Sequence, residues 1–293
     1  GKVQAKLSST DGAGDLNHDV EFVLNVPLSD TFAVRGVVTQ LENGGYIDSD
    51  YIAGLDANNQ PTGEYFTAED INDEDVSMAR ISARWVPTDD TEVLLTYNMQ
   101  KDEVQGSSAS SEALDSYETA AKIIEQFERE TNITSLVIEH DLGFADLTSA
   151  TSLTKNEAQS KYDQSYNYGF SSWWGPYYIS YYGYTGGVSP EAEVIVGEKT
   201  YETDTITQEF RLTGTTAQDI DWLLGVYYNS VDFNTVAYDY VYGLDAAFNI
   251  VNPVATDVGY GNLQETEFED YAIFGEVTFY PTDKLSVTAG LRY

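Results

Sequence analysis

Cysteine is absent from the 293-residue chain, and histidine occurs only twice, at His18 and His140. Without cysteine there is no disulfide framework and no thiolate metal site. The two histidines lie far apart in the sequence, and neither has a second histidine at the close spacing of a zinc-binding motif. The sequence therefore predicts neither a disulfide-stapled fold nor a zinc or histidine-dependent catalytic site.

Basic residues are scarce. The chain has 14 Lys and Arg against 49 Asp and Glu, which gives a formal net charge of −35. A nucleic-acid partner is excluded by this balance, because binding phosphates requires a basic surface. An acidic surface of this kind attracts divalent cations or keeps a large β-protein in solution.

The acidic residues are densest in the connection between residues 42 and 75. They are Asp48, Asp50, Asp56, Glu64, Glu69, Asp70, Asp73, Glu74 and Asp75. Clustered carboxylate oxygens are the ligands of hard cations such as Ca²⁺, but the spacing of an EF-hand loop is missing here. Two interpretations stay open, a Ca²⁺ site and a solvated acidic loop, and we expect the second.

Long apolar runs are also missing. No window approaches the ~18 consecutive apolar residues of a transmembrane helix. A membrane β-barrel is still allowed, because each of its strands gives only a weak hydropathy signal. Gly1 begins directly in a strand-like pattern, so we expect any export signal to lie outside this chain. Nucleophile-elbow, P-loop and dinucleotide motifs are absent too, and we expect no enzyme and no cofactor.

Aromatic residues are abundant, at 13 %, with 23 Tyr against 12 Phe. Rings with a polar tip suit positions that are apolar on one side and wet on the other, such as membrane interfaces.

The last stretch, Tyr271 to Tyr293, alternates apolar and polar residues on both sides of the turn composition at residues 281–284. This period of two predicts a long β-hairpin.

The same plan recurs along the chain and predicts about eleven strands. Predicted strands run over about 2–10, 18–26, 31–41, 79–85, 93–100, 132–140, 144–156, 203–213, 220–232, 271–280 and 285–293. Between them, very short turns alternate with long connections at about 42–75, 103–130, 157–201 and 233–265. Within the second long connection, Leu114, Tyr117, Ala121, Ile124 and Phe127 fall at helical spacing, which predicts a short amphipathic helix over about 112–127.

This asymmetry favours a membrane barrel over a soluble sandwich. Structureless loops beyond ~12–15 residues are unusual in compact soluble domains. Outer-membrane barrels, in contrast, have short turns at one end and long loops at the other, and their tilted strands need ~9–11 residues to cross the membrane.

Several stretches resemble TonB-dependent outer-membrane receptors. They are YAIFGEVTFYPTDKLSVTAGLRY at 271–293, ITQEFRLTG at 206–214 with DWLLGVYY at 221–228, and AVRGVVTQLENGGYID at 33–48 with ARISARWVPTDD at 79–90. Together they cover nearly all predicted strands, whereas the long connections match nothing that names a cargo.

The resemblance implies an all-β fold, an antiparallel transmembrane β-barrel portion with about 11 of about 22 strands. It implies that residues 1–293 are the N-terminal half of the barrel, with the plug and the remaining strands outside the chain. The implied function is active transport of a scarce solute, a siderophore, vitamin or glycan, across the outer membrane of a Gram-negative bacterium. The implied partners are outer-membrane lipid and lipopolysaccharide, the TonB complex through the missing N-terminal part, and the ligand. Polar rows with Arg80, Arg84, Glu209, Arg211 and Arg292 would face the lumen and bond to the plug or to water.

The stretch from Tyr162 to Tyr184 is the candidate ligand-binding segment, since eleven of its 23 residues are aromatic. The rings that we single out are Trp173, Trp174, Tyr177, Tyr178, Tyr181 and Tyr182. Amphipathic rings supply a large contact area at small entropic cost and would stack on a sugar or on the aromatic parts of a siderophore. The alternative is that they pack on one another or form an aromatic girdle at the outer leaflet.

A second functional class is a secreted or surface β-protein that binds carbohydrate through this Tyr- and Trp-rich loop. The two classes differ in their need for detergent, because a barrel wall exposes apolar side chains that a soluble β-protein buries.

Overall fold

A computed structural model describes residues 1–165, 194–216, 220–241, 257–282 and 284–293 of the chain. Strand is the dominant secondary structure of these residues, and no helix among them is long and apolar enough to cross a membrane. The strands are β1 (Lys2–Ser9), β2 (Leu16–Pro27), β3 (Phe32–Asn43), β4 (Ser49–Leu55), β5 (Pro61–Ala68), β6 (Glu74–Thr88), β7 (Thr91–Val104), β8 (Phe127–Asp141), β9 (Asp146–Asp163), β10 (Ile195–Thr216), β11 (Ile220–Val241), β12 (Val258–Thr282) and β13 (Leu285–Arg292).

Eleven of these strands form one antiparallel sheet, in which each strand pairs with its neighbours along the chain. The order is β1-β2-β3-β6-β7-β8-β9-β10-β11-β12-β13. The eleven strands of this sheet confirm all eleven predicted strands. They could be predicted because a side-chain period of two indicates both the strand and its face. Within the described part of the chain, β1 pairs only with β2, and β13 pairs only with β12.

The connections segregate to the two ends of the sheet, as predicted. Residues 28–31, 89–90, 142–145, 217–219 and 283–284 connect strands at one end, which we call the turn end. Residues 10–15, 44–73, 105–126, 164–194 and 242–257 connect strands at the opposite end, the loop end. Every connection longer than six residues is therefore at the loop end.

The first long connection contains a hairpin that the sequence analysis did not predict. Strands β4 and β5 pair antiparallel as a separate two-stranded sheet. Two register shifts interrupt this short pairing, so its residues show no sustained alternation. The predicted loop borders at about 157–201 and 233–265 were also too wide, because β9 continues to Asp163, β10 begins at Ile195, β11 continues to Val241 and β12 begins at Val258.

The predicted helix over 112–127 is wrong. Its backbone N–H groups form no helical ladder: Leu114 and Glu118 bond only three residues back, to the carbonyls of Ser111 and Asp115, and Thr119 bonds to the carbonyl of Asp48 at 2.9 Å. The Ser111 hydroxyl also accepts the N–H of Ala120 at 2.8 Å. Such local side-chain bonds compete with helix formation. The helical spacing of the apolar residues is therefore coincidental.

The strands are staggered as in a tilted barrel wall. Val38 in β3 and Glu267 in β12 lie on one row of register partners that runs through every strand between them. Val38 is six residues from Phe32 at the turn end, whereas Glu267 is fifteen residues from Thr282. The row therefore moves away from the turn end by about 30 Å along the strands, over a distance of about 34 Å across them. If the turns are level, this corresponds to a strand tilt of about 40°. Outer-membrane barrels have tilts of ~35–45°.

Glycines face aromatic rings across neighbouring strands. Gly197 is the register partner of Tyr162, and Gly225 is the partner of Phe274. At each glycine an added Cβ would come within 2.2 Å of the partner's ring. Each ring thus lies over a strand position that has no side chain, and this cross-strand pairing stabilises a glycine within a sheet.

A small apolar core lies at the loop end. Ala53, Ile123, Val194 and Val196 are buried there, and Leu55, Tyr65 and Tyr240 pack against them. The core joins the β4–β5 hairpin, the 105–126 connection and the ends of β10 and β11, so these segments form a packed layer.

Candidate functional site: an apolar wall and a polar cleft at the loop end

One face of the sheet exposes a continuous set of large apolar side chains. Ile81, Leu95, Leu224 and Ile273 are each 46–57 % exposed. The same face carries Val226 and Val277 on the neighbouring strands. An apolar surface of this extent marks contact with another apolar phase or with a partner.

Aromatic side chains border this apolar band on both sides. Trp85, Trp222 and Phe279 lie near the turn end, and Tyr97, Tyr228 and Tyr271 lie toward the loop end. Tyr228 packs against Tyr271 with ring centroids 4.9 Å apart. Along β11, Tyr228 lies six positions beyond Trp222, which is about 15 Å of height at a strand tilt of about 40°. This height is about 10 Å less than the ~25 Å apolar band that lies between the aromatic girdles of outer-membrane barrels.

Beyond the tyrosines this face becomes acidic. Glu130, Glu157, Glu202 and Glu265 share a register row with Lys101. The Lys155 ammonium lies 2.5 Å from Glu157 and 3.7 Å from Glu202. The apolar band thus ends toward the loop end in a charged, water-compatible border.

The opposite face is polar and carries its side chains in bonded pairs. Arg84 donates to both carboxylate oxygens of Glu92 at 2.7 and 2.5 Å. Arg80 donates to Asn98 at 2.5 Å. Arg292 lies 3.6 Å from Asp270. The five polar residues predicted to share one face do so, with Glu209 and Arg211 3.8 Å apart.

A cleft of about 730 Å³ opens on the polar face at the loop end. Its floor is a single row of register partners from five successive strands of the sheet: Asn43, Glu74, Val104, Phe127 and Ser160. Its walls come from three loop-end connections and from the end of β9: Thr10, Gly44, Tyr46, Asn72, Gly106, Ser107, Ser108, Glu125, Gln126, Lys161 and Tyr162. The volume lies in the ~300–1,000 Å³ range of small-ligand sites.

Buried Asn72 fixes one wall of the cleft. Its side-chain oxygen accepts the backbone N–H groups of Tyr46 and Ile47 at 2.7 and 2.8 Å. Gly106 allows the next connection to approach closely, since a Cβ there would lie 2.4 Å from the carbonyl oxygen of Ile71. The Tyr46 ring stands edge-on to Tyr117 at 5.7 Å.

The other wall is tied to β9 by two carboxylates. Asp163 accepts the N–H of Lys122 at 2.7 Å, and Glu125 accepts the N–H of Asp163 at 2.9 Å. Tyr162 is held by its position over Gly197. These contacts give the cleft fixed walls before any ligand is present.

An ion pair with a buried carboxylate lies one row below the floor. The Asp102 side chain is 8 % exposed and accepts the Arg129 guanidinium at 2.6 and 2.8 Å. Gln100 donates to its other oxygen at 2.7 Å. Arg129 also lies 5.9 Å from the centre of the Phe127 ring, which joins the pair to the floor.

The acidic connection contains carboxylates that support the backbone. Asp48 accepts the N–H of Asp70 at 2.9 Å, and Asp70 accepts the N–H of Gly14 at 3.2 Å. The N–H groups of Gln60 and Asn58 lower the pKa of Asp56. Burial raises the pKa of Asp73, with a smaller contribution from Asp15. Among the described residues no three His, Asp or Glu side chains are grouped as metal ligands.

The six aromatic residues predicted to bind ligand, Trp173, Trp174, Tyr177, Tyr178, Tyr181 and Tyr182, lie outside the described residues. His18 and His140 lie at separate places, His18 3.0 Å from Glu42 and His140 2.8 Å from the Thr91 hydroxyl.

Sequence reasoning missed the cleft floor, because its five residues are far apart along the chain. No local signal identifies them, because the register that aligns them depends on every strand pairing between β3 and β9.

No family model and no curated protein sequence matches the chain. Solved structures do match. The ferric yersiniabactin uptake receptor FyuA of Yersinia pestis superposes with a TM-score of 0.66 at 10 % identity, over 94 % of this chain and 36 % of that one. The ferripyoverdine receptor of the outer membrane of Pseudomonas aeruginosa gives 0.59 at 13 % identity, over 98 % and 36 %. The siderophore receptor PiuA of Acinetobacter baumannii gives 0.56 at 12 % identity, over 99 % and 45 %.

The chain therefore has the fold of the barrel portion of TonB-dependent outer-membrane receptors, as its sequence resemblance predicted. It spans less than half the length of the receptors that it matches.

Proposed function

We propose that this chain is part of the barrel wall of a TonB-dependent receptor in the outer membrane of a Gram-negative bacterium. The observation that carries the proposal is the exposed apolar band, bordered by aromatic rows, on a tilted antiparallel sheet with its long connections at one end. Such a face is compatible with lipid, and a wall of this kind satisfies backbone groups by pairing between strands.

In this proposal each face has one environment. The apolar face contacts outer-membrane lipid, and its acidic border lies at the level of the lipopolysaccharide headgroups. The polar face borders the lumen, where Arg80, Arg84, Glu209, Arg211 and Arg292 bond to water or to a plug. Residues 1–293 form the N-terminal half of the barrel, and a segment outside them contacts the TonB complex.

The function of the whole receptor is active uptake of a scarce solute, without covalent chemistry. Matched structures are receptors for ferric yersiniabactin and ferripyoverdine, which supports a small-molecule ligand as a class. The loop-end cleft and the rings between Trp173 and Tyr182 are the proposed contact sites.

The test is expression of the full-length gene product followed by membrane fractionation. We expect the protein in the outer-membrane fraction, monodisperse only in detergent, and uptake that is lost when the TonB protein is deleted. A chain that is soluble and monodisperse without detergent would contradict the proposal and favour a secreted carbohydrate-binding protein.

The role of the aromatic segment has its own test. Replacing Trp173 and Trp174 by Ala in the full-length receptor is expected to weaken cargo binding, because stacked rings contribute much of the contact area. Trp85→Ala, near the turn end, is the matched control and should leave binding unchanged. Unchanged binding after the double replacement would assign these rings to packing or to the girdle.

A further inference from the structure

The three connections that border the cleft are almost free of basic residues. Residues 10–15, 44–73 and 105–126 contain thirteen Asp and Glu but only one Lys, Lys122. Among the residues that line the cleft, the one basic residue is Lys161, and the two acidic residues are Glu74 and Glu125. The connections that border the cleft therefore carry a strong negative charge.

This charge opposes anionic ligands. Charges interact over a screening length of ~8 Å at physiological salt, so carboxylates on neighbouring connections act together on an entering molecule. Several of these carboxylates are fixed in place by backbone hydrogen bonds, as for Asp48 and Asp70. A polyanionic metal chelate would meet this field without the Arg residues that pair with carboxylates in a bidentate manner.

The lining offers a different set of partners. Five of the residues that line the cleft have a hydroxyl or amide group, and Phe127 and Tyr162 add rings; the five are Asn43, Ser107, Ser108, Gln126 and Ser160. Hydroxyls and amides both donate and accept hydrogen bonds, which matches the hydroxyl groups of a sugar. Aromatic rings pack on the apolar face of a pyranose ring and bury a large contact area there.

We infer that the cleft takes an uncharged oligosaccharide rather than an anionic iron chelate. This inference rests on the proposed function and gives that receptor a cargo class. It differs from the siderophore receptors that share the fold, although the fold places no constraint on cargo.

The test is calorimetric titration of the full-length receptor in detergent with two panels. The neutral panel contains malto-, cello-, xylo- and galacto-oligosaccharides. The anionic panel contains oligogalacturonate, the charged counterpart of the galactose series, and ferric citrate. We expect binding to a neutral member that changes less than about twofold on raising the salt concentration, because no ion pair is formed.

Two variants connect binding to this cleft. Ser108→Trp places a bulky ring in the lining and is expected to weaken binding at least about tenfold. Ser110→Trp introduces the same ring two residues away in the same connection, outside the cleft lining, and is expected to leave binding unchanged. Equal effects of the two variants would contradict the assignment to this cleft.

Three results would overturn the cargo class: binding confined to the anionic panel, binding that falls steeply with salt, or a folded receptor that binds no neutral oligosaccharide. These results are separable from failure of the proposed function. TonB-dependent uptake of an anionic chelate would leave the receptor function standing and remove the oligosaccharide. A soluble chain that binds a neutral oligosaccharide would remove the receptor function and leave the oligosaccharide ligand standing.

Discussion

At the scale of single residues, Asp102 and Arg129 differ most in burial among the ion pairs in the described part of the chain. The Asp102 side chain is 8 % exposed, whereas that of Arg129 is 44 % exposed. A buried carboxylate that loses its partner retains its desolvation penalty, but a half-exposed guanidinium regains water. Removal of the arginine should therefore be more destabilising than removal of the aspartate.

We predict that Arg129→Met lowers the free energy of unfolding by about 1–3 kcal/mol, a value reduced for the exposure of the arginine. Asp102→Asn should cost less, because the amide still accepts a hydrogen bond. Thermal unfolding of the full-length receptor in detergent measures both. Lys155→Met breaks an exposed pair with Glu157 and serves as the control, with an effect below about 1 kcal/mol. An Arg129 variant as stable as this control would show that the pair contributes little.

At the scale of elements, the β4–β5 hairpin contains a carboxylate whose ionisation supports its turn. Asp56 accepts the N–H groups of Asn58 and Gln60 at 2.8 and 2.9 Å, which lowers its pKa. A lowered folded pKa means that the contribution is present above the unfolded pKa of ~4 and is lost as pH falls through the folded value.

We predict faster amide exchange at residues 56–60 as the pH falls below about 4, after correction for intrinsic exchange. Asp56→Asn cannot ionise, so its hairpin should show no such pH response. Hydrogen exchange followed by mass spectrometry measures both proteins. An identical pH response in the variant would show that another group controls the turn.

The apolar face of β12 provides a second prediction at this scale. Ile273→Arg places a charge within the apolar band and should destabilise the inserted barrel by ~2–4 kcal/mol. Thr207→Arg, on the polar face of β10, is the matched control and should have little effect. Refolding of the full-length receptor into lipid vesicles measures the difference. Equal effects of the two substitutions would mean that Ile273 does not face lipid.

The elements that sequence could predict are those with one apolar and one polar face. The alternation of Leu285, Val287 and Ala289 continues through the hairpin because one side of each strand has a uniform environment. The β4–β5 hairpin lacks this uniformity, since register shifts interrupt it and Ile52 and Ala53, adjacent in sequence, are both buried. Its existence depends on packing against Ile123 and Val196, which no local pattern records.

The cleft was beyond sequence reasoning for a related reason. Asn43 and Ser160 are 117 positions apart but lie on one register row. Register is determined jointly by all intervening strand pairs, so the row can be assigned only when every pairing is known. The resemblance supplied the fold class, and composition supplied the negative charge, but neither located the site.

At the scale of the whole molecule, tilt, apolar band and aromatic rows together define a depth for each residue. If the turn end is level, residues equally distant from it along their strands lie at equal heights. Leu224 and Val226 then lie between Trp222 and Tyr228, in the middle of the band. Glu202, on the same face of β10, lies beyond the band toward the loop end.

The absence of cysteine makes this arrangement measurable, because a single introduced thiol is unique within the chain. We predict that bimane attached at Leu224→Cys or Val226→Cys is quenched most strongly by lipids with nitroxide deep in the acyl chain. The same label at Glu202→Cys should be quenched best by headgroup nitroxide. Thr207→Cys, on the polar face, should react with a water-soluble maleimide and resist both quenchers. If Leu224 and Thr207 were quenched alike, the two faces would share one environment, and the sheet could not be a wall between lipid and lumen.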